Sequence, residues 1–312
     1  MNPVLTLDHV SYSYHTPSGE TPALKDISFS VRPGSFTSIA GPSGCGKSTL
    51  LSLIAGLIAP EKGCIRFYKS DAMPAAARIG YMLQHDTLLE WRTIYKNILL
   101  GLEVPHQCTE QKKRLAADMM HDYGLASFKN AHPSELSGGM RQRAALIRTL
   151  VLEPDILLLD EPFSALDYQT RLEVSDDIFR IIKEQEKTAL LVTHDISEAI
   201  AMGEQVIVLS SRPAGIKNVF DIHLSVDKRT PFSSRTAPEF SAYFHQSGRS
   251  CHNVCHSMHY LKQMKRLKYK ITLARILLFA GFITLWEVAA YAGWIDDFIF
   301  SSPSRIIKTL FA

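Results

Sequence analysis

A glycine-rich octapeptide, Gly41-Pro-Ser-Gly-Cys-Gly-Lys-Ser48, restricts the folds open to this chain more than any other feature. It matches the pattern G-x-x-x-x-G-K-[ST] and lies between an apolar run, Ser35–Ala40, and a helical run, TLLSLIAGL. Strand, loop and helix in that order make a phosphate cradle: the glycines let backbone N–H groups curl round phosphate oxygens, and the helix presents the positive end of its dipole. Gly41, Pro42, Ser43, Gly44, Cys45, Gly46, Lys47, Ser48 and Thr49 are therefore the candidate nucleotide contacts. Lys47 reaches the outer phosphates, and the Ser48 hydroxyl can ligate Mg²⁺. Cys45 contributes its backbone rather than its thiol. A chance glycine loop is the bland alternative, and the strand–loop–helix setting argues against it.

A second run, ILLLDEP from Ile156 to Pro162, reads as a buried strand that ends in two adjacent carboxylates. Neighbouring strand residues point in different directions, so the two can have separate roles. Asp160 would hold Mg²⁺, directly or through water, and Glu161 would polarise the water that attacks the γ-phosphate. In isolation such a pair is as readily a solvated loop end; beside a phosphate loop it becomes a catalytic candidate.

The rest of the chain fits round these motifs. With 312 residues, 46% of them hydrophobic and 21% charged, it can bury one large core and leave an appendage. Short runs at Ser35–Ala40, Ile79–Leu83, Ile156–Leu159, Ala189–Val192 and Val206–Leu209 read as strands, several apolar throughout as in sheets covered on both faces. Between His85 and Glu153 helical material dominates. The expectation is an α/β P-loop fold: a mixed, largely parallel sheet core, an antiparallel β part and an inserted helical subdomain. A formal charge of +3 gives no reason to expect nucleic-acid binding. Five cysteines without framework spacing, and a first segment without signal-peptide regions, predict a reducing, cytoplasmic setting.

Leu136-Ser-Gly-Gly-Met-Arg-Gln-Arg143 closely resembles the signature of the ABC ATPases, and other motifs fall into that family's order from Val4 to Phe244. The resemblance implies that Tyr14 stacks on the adenine of ATP. It likewise implies that Gln84 senses Mg²⁺ and the permease, that Asp167 in SALD forms the D-loop, and that His194 in VTHD is the switch histidine. Each has a plainer alternative: a strand aromatic for Tyr14, a polar loop residue for His194, and a helix N-cap for Asp167. Ser137, Gly138, Gly139 and Gln142 belong to the signature, where the first three precede a helix and form another anion-binding terminus. In this family the signature of one subunit closes over ATP held by a second, in a head-to-tail dimer. Glu161, His194 and Lys47 are thus the catalytic candidates, Ser48, Gln84 and Asp160 the metal candidates, and ATP and Mg²⁺ the expected cofactors.

Within the family, HDTLLEWRTIYKNILLGLE is similar to the segment after the glutamine loop in nitrate, sulfonate and taurine importers, which read LLPWRTVLDN there; Glu90 occupies the proline position. SSRPAGI and PEFSAYF are similar to phrases of the same group. Trp91 and Arg92 are either permease-facing or packed in the helical subdomain. The resemblance implies a second ATPase subunit, two permease subunits and an extracytoplasmic solute-binding protein, with small anions as cargo; sulfonate or taurine ranks first. The expected place is the cytoplasmic face of the inner membrane.

Domain organisation is expected to be a nucleotide-binding domain over 1–246, an irregular junction over 247–262 and a third part over 263–312. The third part pairs a basic flank (Lys265, Arg266, Lys268 and Lys270, following Lys262 at the end of the junction) with the apolar run Ile276–Trp294. Nineteen residues with one charge, Glu287, are about enough to cross a ~30 Å hydrocarbon layer as a single hydrophobic helix. With Ser302-Pro303-Ser304 after it, this tail resembles the start of a permease of the same group, and a truncated or frame-disrupted fusion with its seam at Ser247–His259 is expected. Cys251, Cys255, His252, His256 and His259 crowd that seam, but the run lacks a second paired knuckle and reads as accidental composition. A non-transport ABC ATPase acting on ribosomes or nucleic acid would share every nucleotide motif. Such proteins usually carry two cassettes, and one cassette with a permease-like tail favours transport.

Overall fold

The structure, a computed structural model, describes residues 2–17, 19–68, 73, 76–250, 284, 285 and 288. The chain divides into two units, Met1–Asn253 and Val254–Ala312. The elements below belong to the first. The tail, its apolar run and the Cys/His seam lie outside the described residues. Among those described, no helix is long and apolar enough to cross a membrane.

The first unit is built on two sheets. A six-stranded sheet runs in the order β5 (Ile79–Met82), β6 (Ile156–Asp160), β7 (Thr188–Thr193), β3 (Phe36–Ala40), β8 (Gln205–Leu209), β9 (Ile216–Asp221). Its first five strands pair in parallel, and β9 returns antiparallel to β8. A second, antiparallel sheet has β1 (Leu5–Thr16) between β2 (Gly19–Val31) and β4 (Lys62–Phe67).

Strands β3, β6 and β7 are buried at every position. The reason is visible in alternate residues of β6: Leu157 and Leu159 enter one hydrophobic core, Ile156 and Leu158 the other. Ala189 and Leu191 of β7 alternate with Leu190 and Val192 in the same way. Each buried Leu or Ile contributes on the order of 1.5–3 kcal/mol, so a polar residue on either face of these strands would be costly.

The first core lies under the helical subdomain inserted between β5 and β6: α2 (Ile94–Glu103), α3 (Glu110–Asp122) and α4 (Gly138–Leu150), following α1 (Lys47–Ile54) in the chain. The second core joins α1 to the antiparallel sheet. Helices α5 (Tyr168–Glu184) and α6 (Ile196–Met202) connect β6, β7 and β8, and α7 (Pro231–Ser234) and α8 (Phe240–Ser250) follow β9. Helix α8 runs across residue 246, and Ser247 within it is buried, so helical structure extends into the segment expected to be an irregular junction.

The antiparallel sheet carries local irregularity in β1. Register in β1 shifts between Leu7 and Val10, where His9 has a φ of 51°. Gly63 faces this bulge at φ 80°, and a Cβ there would come within 2.3 Å of the Asp8 carbonyl oxygen, so only glycine fits.

Candidate functional site

Three parallel strands deliver their carboxyl ends to one place, as ligand sites in open α/β sheets do. β3 leads into Gly41, β6 ends at Asp160, and β7 ends at Thr193 before His194. The phosphate loop needs its glycines: Gly44 has φ 75° and Gly46 φ 123°, and a Cβ on Gly46 would lie 3.1 Å from the Ala23 carbonyl oxygen. The helix that begins at Lys47 then aims its unpaired N–H groups at the loop. Lys47 Nζ donates to the Gly41 and Pro42 carbonyls, both at 3.0 Å, and lies 3.6 Å from Glu161 Oε1. Cys45 is buried, and burial pushes its thiol up from its ordinary value.

Asp160 and Glu161 face different partners. Ser48 Oγ donates to Asp160 Oδ1 at 3.1 Å, and the Tyr81 hydroxyl donates to Oδ2 at 3.3 Å. Burial raises the Asp160 carboxyl above its usual range, and the neighbouring Glu161 charge adds to the shift. The same burial, with Asp160 second, pushes the Tyr81 hydroxyl up to about 12. Glu161 follows the strand with a left-handed φ of 44°, while its N–H donates to the Val192 carbonyl at 2.9 Å. Its Oε2 lies 2.7 Å from His194 Nδ1. That hydrogen bond is the main reason the Glu161 carboxyl is held below its ordinary value and the His194 imidazole above. Such a pair can hold an ionised carboxylate ready to accept a proton from water.

Divalent-ion chemistry fits the donors present. Ser48 and Asp160 offer hard oxygens side by side, and a buried carboxylate of raised proton affinity is well compensated by a cation. Gln84, just after β5, directs Nε2 to Ser164 Oγ at 3.3 Å rather than to Ser48 or Asp160. Among the described residues no cluster of three or more His, Cys, Asp or Glu could hold a metal by itself.

Tyr14 occupies β1 at the rim, 40% exposed, with its hydroxyl 3.0 Å from Thr49 Oγ1. The Arg212 guanidinium lies 6.0 Å over its ring. Sequence reading missed Tyr81 and Arg212 as members of this site. Tyr81 stands three residues before Gln84 on β5, where strand geometry directs it at Asp160; Arg212 lies in the SSRPAGI phrase, which was read for its likeness to the importer group and not for the site.

The signature lies elsewhere. Ser137 caps α4, its Oγ accepting from Met140 N at 3.3 Å, and Cβ atoms on Gly138 and Gly139 would meet Leu166 at 2.9 Å and Val174 at 2.6 Å. With Asp167, these residues line a cleft of about 440 Å³ to which no phosphate-loop residue contributes. Asp167 caps α5, accepting from Thr170 N at 3.1 Å. Gln142 is buried in α4, and its Oε1 has no hydrogen-bond partner among the described residues. Two anion-binding termini thus occupy separate places on one chain.

The loop after Gln84 is fixed from within. Asn97, fully buried, accepts from Leu89 N at 2.7 Å and donates to the carbonyls of Leu89, Arg92 and Thr93. Arg92 pairs with both carboxylate oxygens of Glu103, at 2.9 and 2.7 Å. Trp91, between these anchors, is 77% exposed, which removes the reading of it as a core residue.

Residues 24–164 match the ABC transporter family model. Over 240 residues the chain is 47% identical to an uncharacterized ABC transporter ATP-binding protein, YtlC, of Bacillus subtilis, covering 77% of this chain and 92% of that protein. Over 193 residues it is 44% identical to an aliphatic sulfonates import ATP-binding protein, SsuB 1, of Rhodococcus jostii, covering 62% and 75% of the two chains. Among solved structures, the dimeric post-hydrolysis ATP-binding cassette MJ0796 bound to ADP and Pi superposes with a TM-score of 0.59 at 29% identity, over 70% of this chain and 99% of that one.

Proposed function

The chain belongs to the ABC transporter ATP-binding proteins, and from that premise we propose that it is the ATP-hydrolysing subunit of an importer for small anions. Aliphatic sulfonate or taurine is the favoured cargo, and nitrate the next. The observation that carries the hydrolytic reading is the contact series of Lys47, at the start of α1, with Glu161 and His194, just after β6 and β7. Lys47 leaves the loop carbonyls for the β- and γ-phosphates, Ser48 and Asp160 hold Mg²⁺, and Tyr14 stacks on adenine. Mg²⁺ supplies charge neutralisation of the phosphates when bound. Glu161 orients water and accepts its proton, and His194 holds that carboxylate in place. Ser137, Gly138, Gly139 and Asp167 meet the nucleotide of a second copy, which is why their cleft needs no phosphate-loop residue of its own.

Cargo is read from resemblance in the Leu88–Glu103 segment, because no residue of an ATPase subunit touches the solute. The exposed Trp91, fixed on its loop by Asn97, supports a permease-facing surface there. The proposed assembly is two such subunits and two permease subunits at the cytoplasmic face of the membrane, served by an external solute-binding protein. The nucleotide-binding domain takes residues 1 to about 246, with α8 reaching Ser250.

Steady-state phosphate release tests the hydrolytic assignment. The Glu161→Gln chain is expected to retain ATP while turnover falls by about 10²-fold or more, and Lys47→Ala is expected to lose ATP affinity instead. Turnover of Glu161→Gln at the unmodified rate would remove Glu161 from the mechanism.

The tail, outside the described residues, is proposed to insert as a permease-like span. Alkaline carbonate extraction should leave the full chain in the membrane pellet and release a chain ending at Asn253; a full chain recovered as a soluble monodisperse ATPase contradicts insertion.

A further inference from the structure

One partly buried series of polar groups, with Glu198 at its buried centre, joins two loops that flank the phosphate site. Arg171, one turn into α5, donates from Nη2 to the Leu166 carbonyl at 2.9 Å, immediately before Asp167. Its Nε lies 3.8 Å from Glu198 Oε1. Glu198, on α6, is 4% exposed, and its Oε2 accepts from Thr193 Oγ1 at 2.7 Å. That same hydroxyl accepts from Asp195 N at 3.0 Å. Thr193 and Asp195 are the chain neighbours of His194, which holds Glu161. The series therefore runs from the D-loop carbonyl to both sides of the switch histidine.

Its weak point is informative. Arg171 Nε is buried and has no hydrogen-bond partner among the described residues. At 3.8 Å the facing carboxylate oxygen is too far for a hydrogen bond, and a buried donor left unmade is unfavourable. An approach of about 1 Å would create a charge-assisted bond. A movement that brings the start of α5 and the body of α6 closer would achieve this.

We propose that Arg171 and Glu198 are positioning residues that couple the D-loop at Leu166–Asp167 to the switch loop at Thr193–Asp195, engaging fully when nucleotide draws α5 and α6 together. The proposal rests on the roles given above to Glu161, His194 and Asp167. Neither residue touches nucleotide; each sets the place of a residue that does.

Hydrogen–deuterium exchange of the full chain tests the coupling, with a non-hydrolysable ATP analogue and Mg²⁺ as the probe. The measurement is made at pH 8, above the value of about 7 to which burial pushes the Glu198 carboxyl. In the unmodified chain the analogue slows exchange at 165–168 and at 193–197 together. In Glu198→Gln and in Arg171→Lys, protection of the phosphate loop persists, protection at 165–168 falls by about fivefold, and kcat falls by a similar factor with analogue affinity unchanged. The double variant is no worse than either single one. Arg171→Lys keeps the charge and a donor for the Leu166 carbonyl, so it carries the test if Glu198→Gln does not fold. Wild-type protection of both loops in the single variants, or effects that multiply in the double variant, would overturn the proposal. If Glu161→Gln is slow while exchange in the single variants is unchanged, the coupling alone fails; if Glu161→Gln turns over normally, the site assignment beneath it fails as well.

Discussion

At the scale of residues, the Glu161–His194 contact sets how the site answers to pH. Glu161 is depressed from 4.5 mainly by the His194 hydrogen bond, and burial works against that shift. His194→Ala leaves burial in place and removes the opposing partner, so the Glu161 carboxyl must rise. The acid limb of residual turnover is expected to move to higher pH, measured as kcat/KM between about pH 5 and 8. An unmoved limb would show that His194 does not govern Glu161. Stability follows with the sign of each shift. The depressed Glu161 contributes stability present above about pH 4.5 and lost as pH falls; the raised His194 contributes stability present below about pH 6.5 and lost as pH climbs through its folded value. The melting-temperature gap between the unmodified chain and His194→Ala should therefore be widest between those two values.

At the scale of elements, Asp167 does two jobs that can be separated. Its side chain caps α5, a contact worth about 0.5–2 kcal/mol, and it sits in the signature cleft proposed to meet a second subunit. Asp167→Ser keeps a capping oxygen and removes the charge. It should melt within a degree or two of the unmodified chain yet hydrolyse ATP several-fold more slowly, whereas Asp167→Ala should lose both. Equal turnover in Asp167→Ser and the unmodified chain would leave Asp167 as a cap alone. The parallel strands β3, β6, β7 and β8 were legible because both faces are covered, which forces apolar runs such as ILLL, and the edge strand β5 was legible from its short β-rich run. Strands β1, β2, β4 and β9 were not individually legible. β2 is an edge strand that tolerates Pro22 and Asp26, and the bulge at His9 breaks the alternation of β1. In the site, the loop and carboxylate motifs were legible because their chemistry dictates local sequence. Tyr81, Arg171 and Glu198 were not, since each acts through a partner brought near only by the fold.

At the scale of the whole molecule, one chain presents two incomplete halves of a nucleotide site. The phosphate loop, Asp160, Glu161 and His194 gather at one set of strand ends, and Ser137, Gly138, Gly139 and Asp167 line a separate cleft. In the proposed assembly, a head-to-tail pair of subunits completes both sites by symmetry. Sedimentation velocity of the Glu161→Gln chain ending at Asn253 tests this most directly, because slow hydrolysis traps the ATP-bound form. Mg²⁺-ATP should convert the monomer to a dimer, ADP should not, and Ser137→Arg added to Glu161→Gln should abolish the dimer while ATP stays bound. A Glu161→Gln chain that remains monomeric with ATP bound, or a Ser137→Arg variant that dimerises as well as its parent, would contradict the composite site.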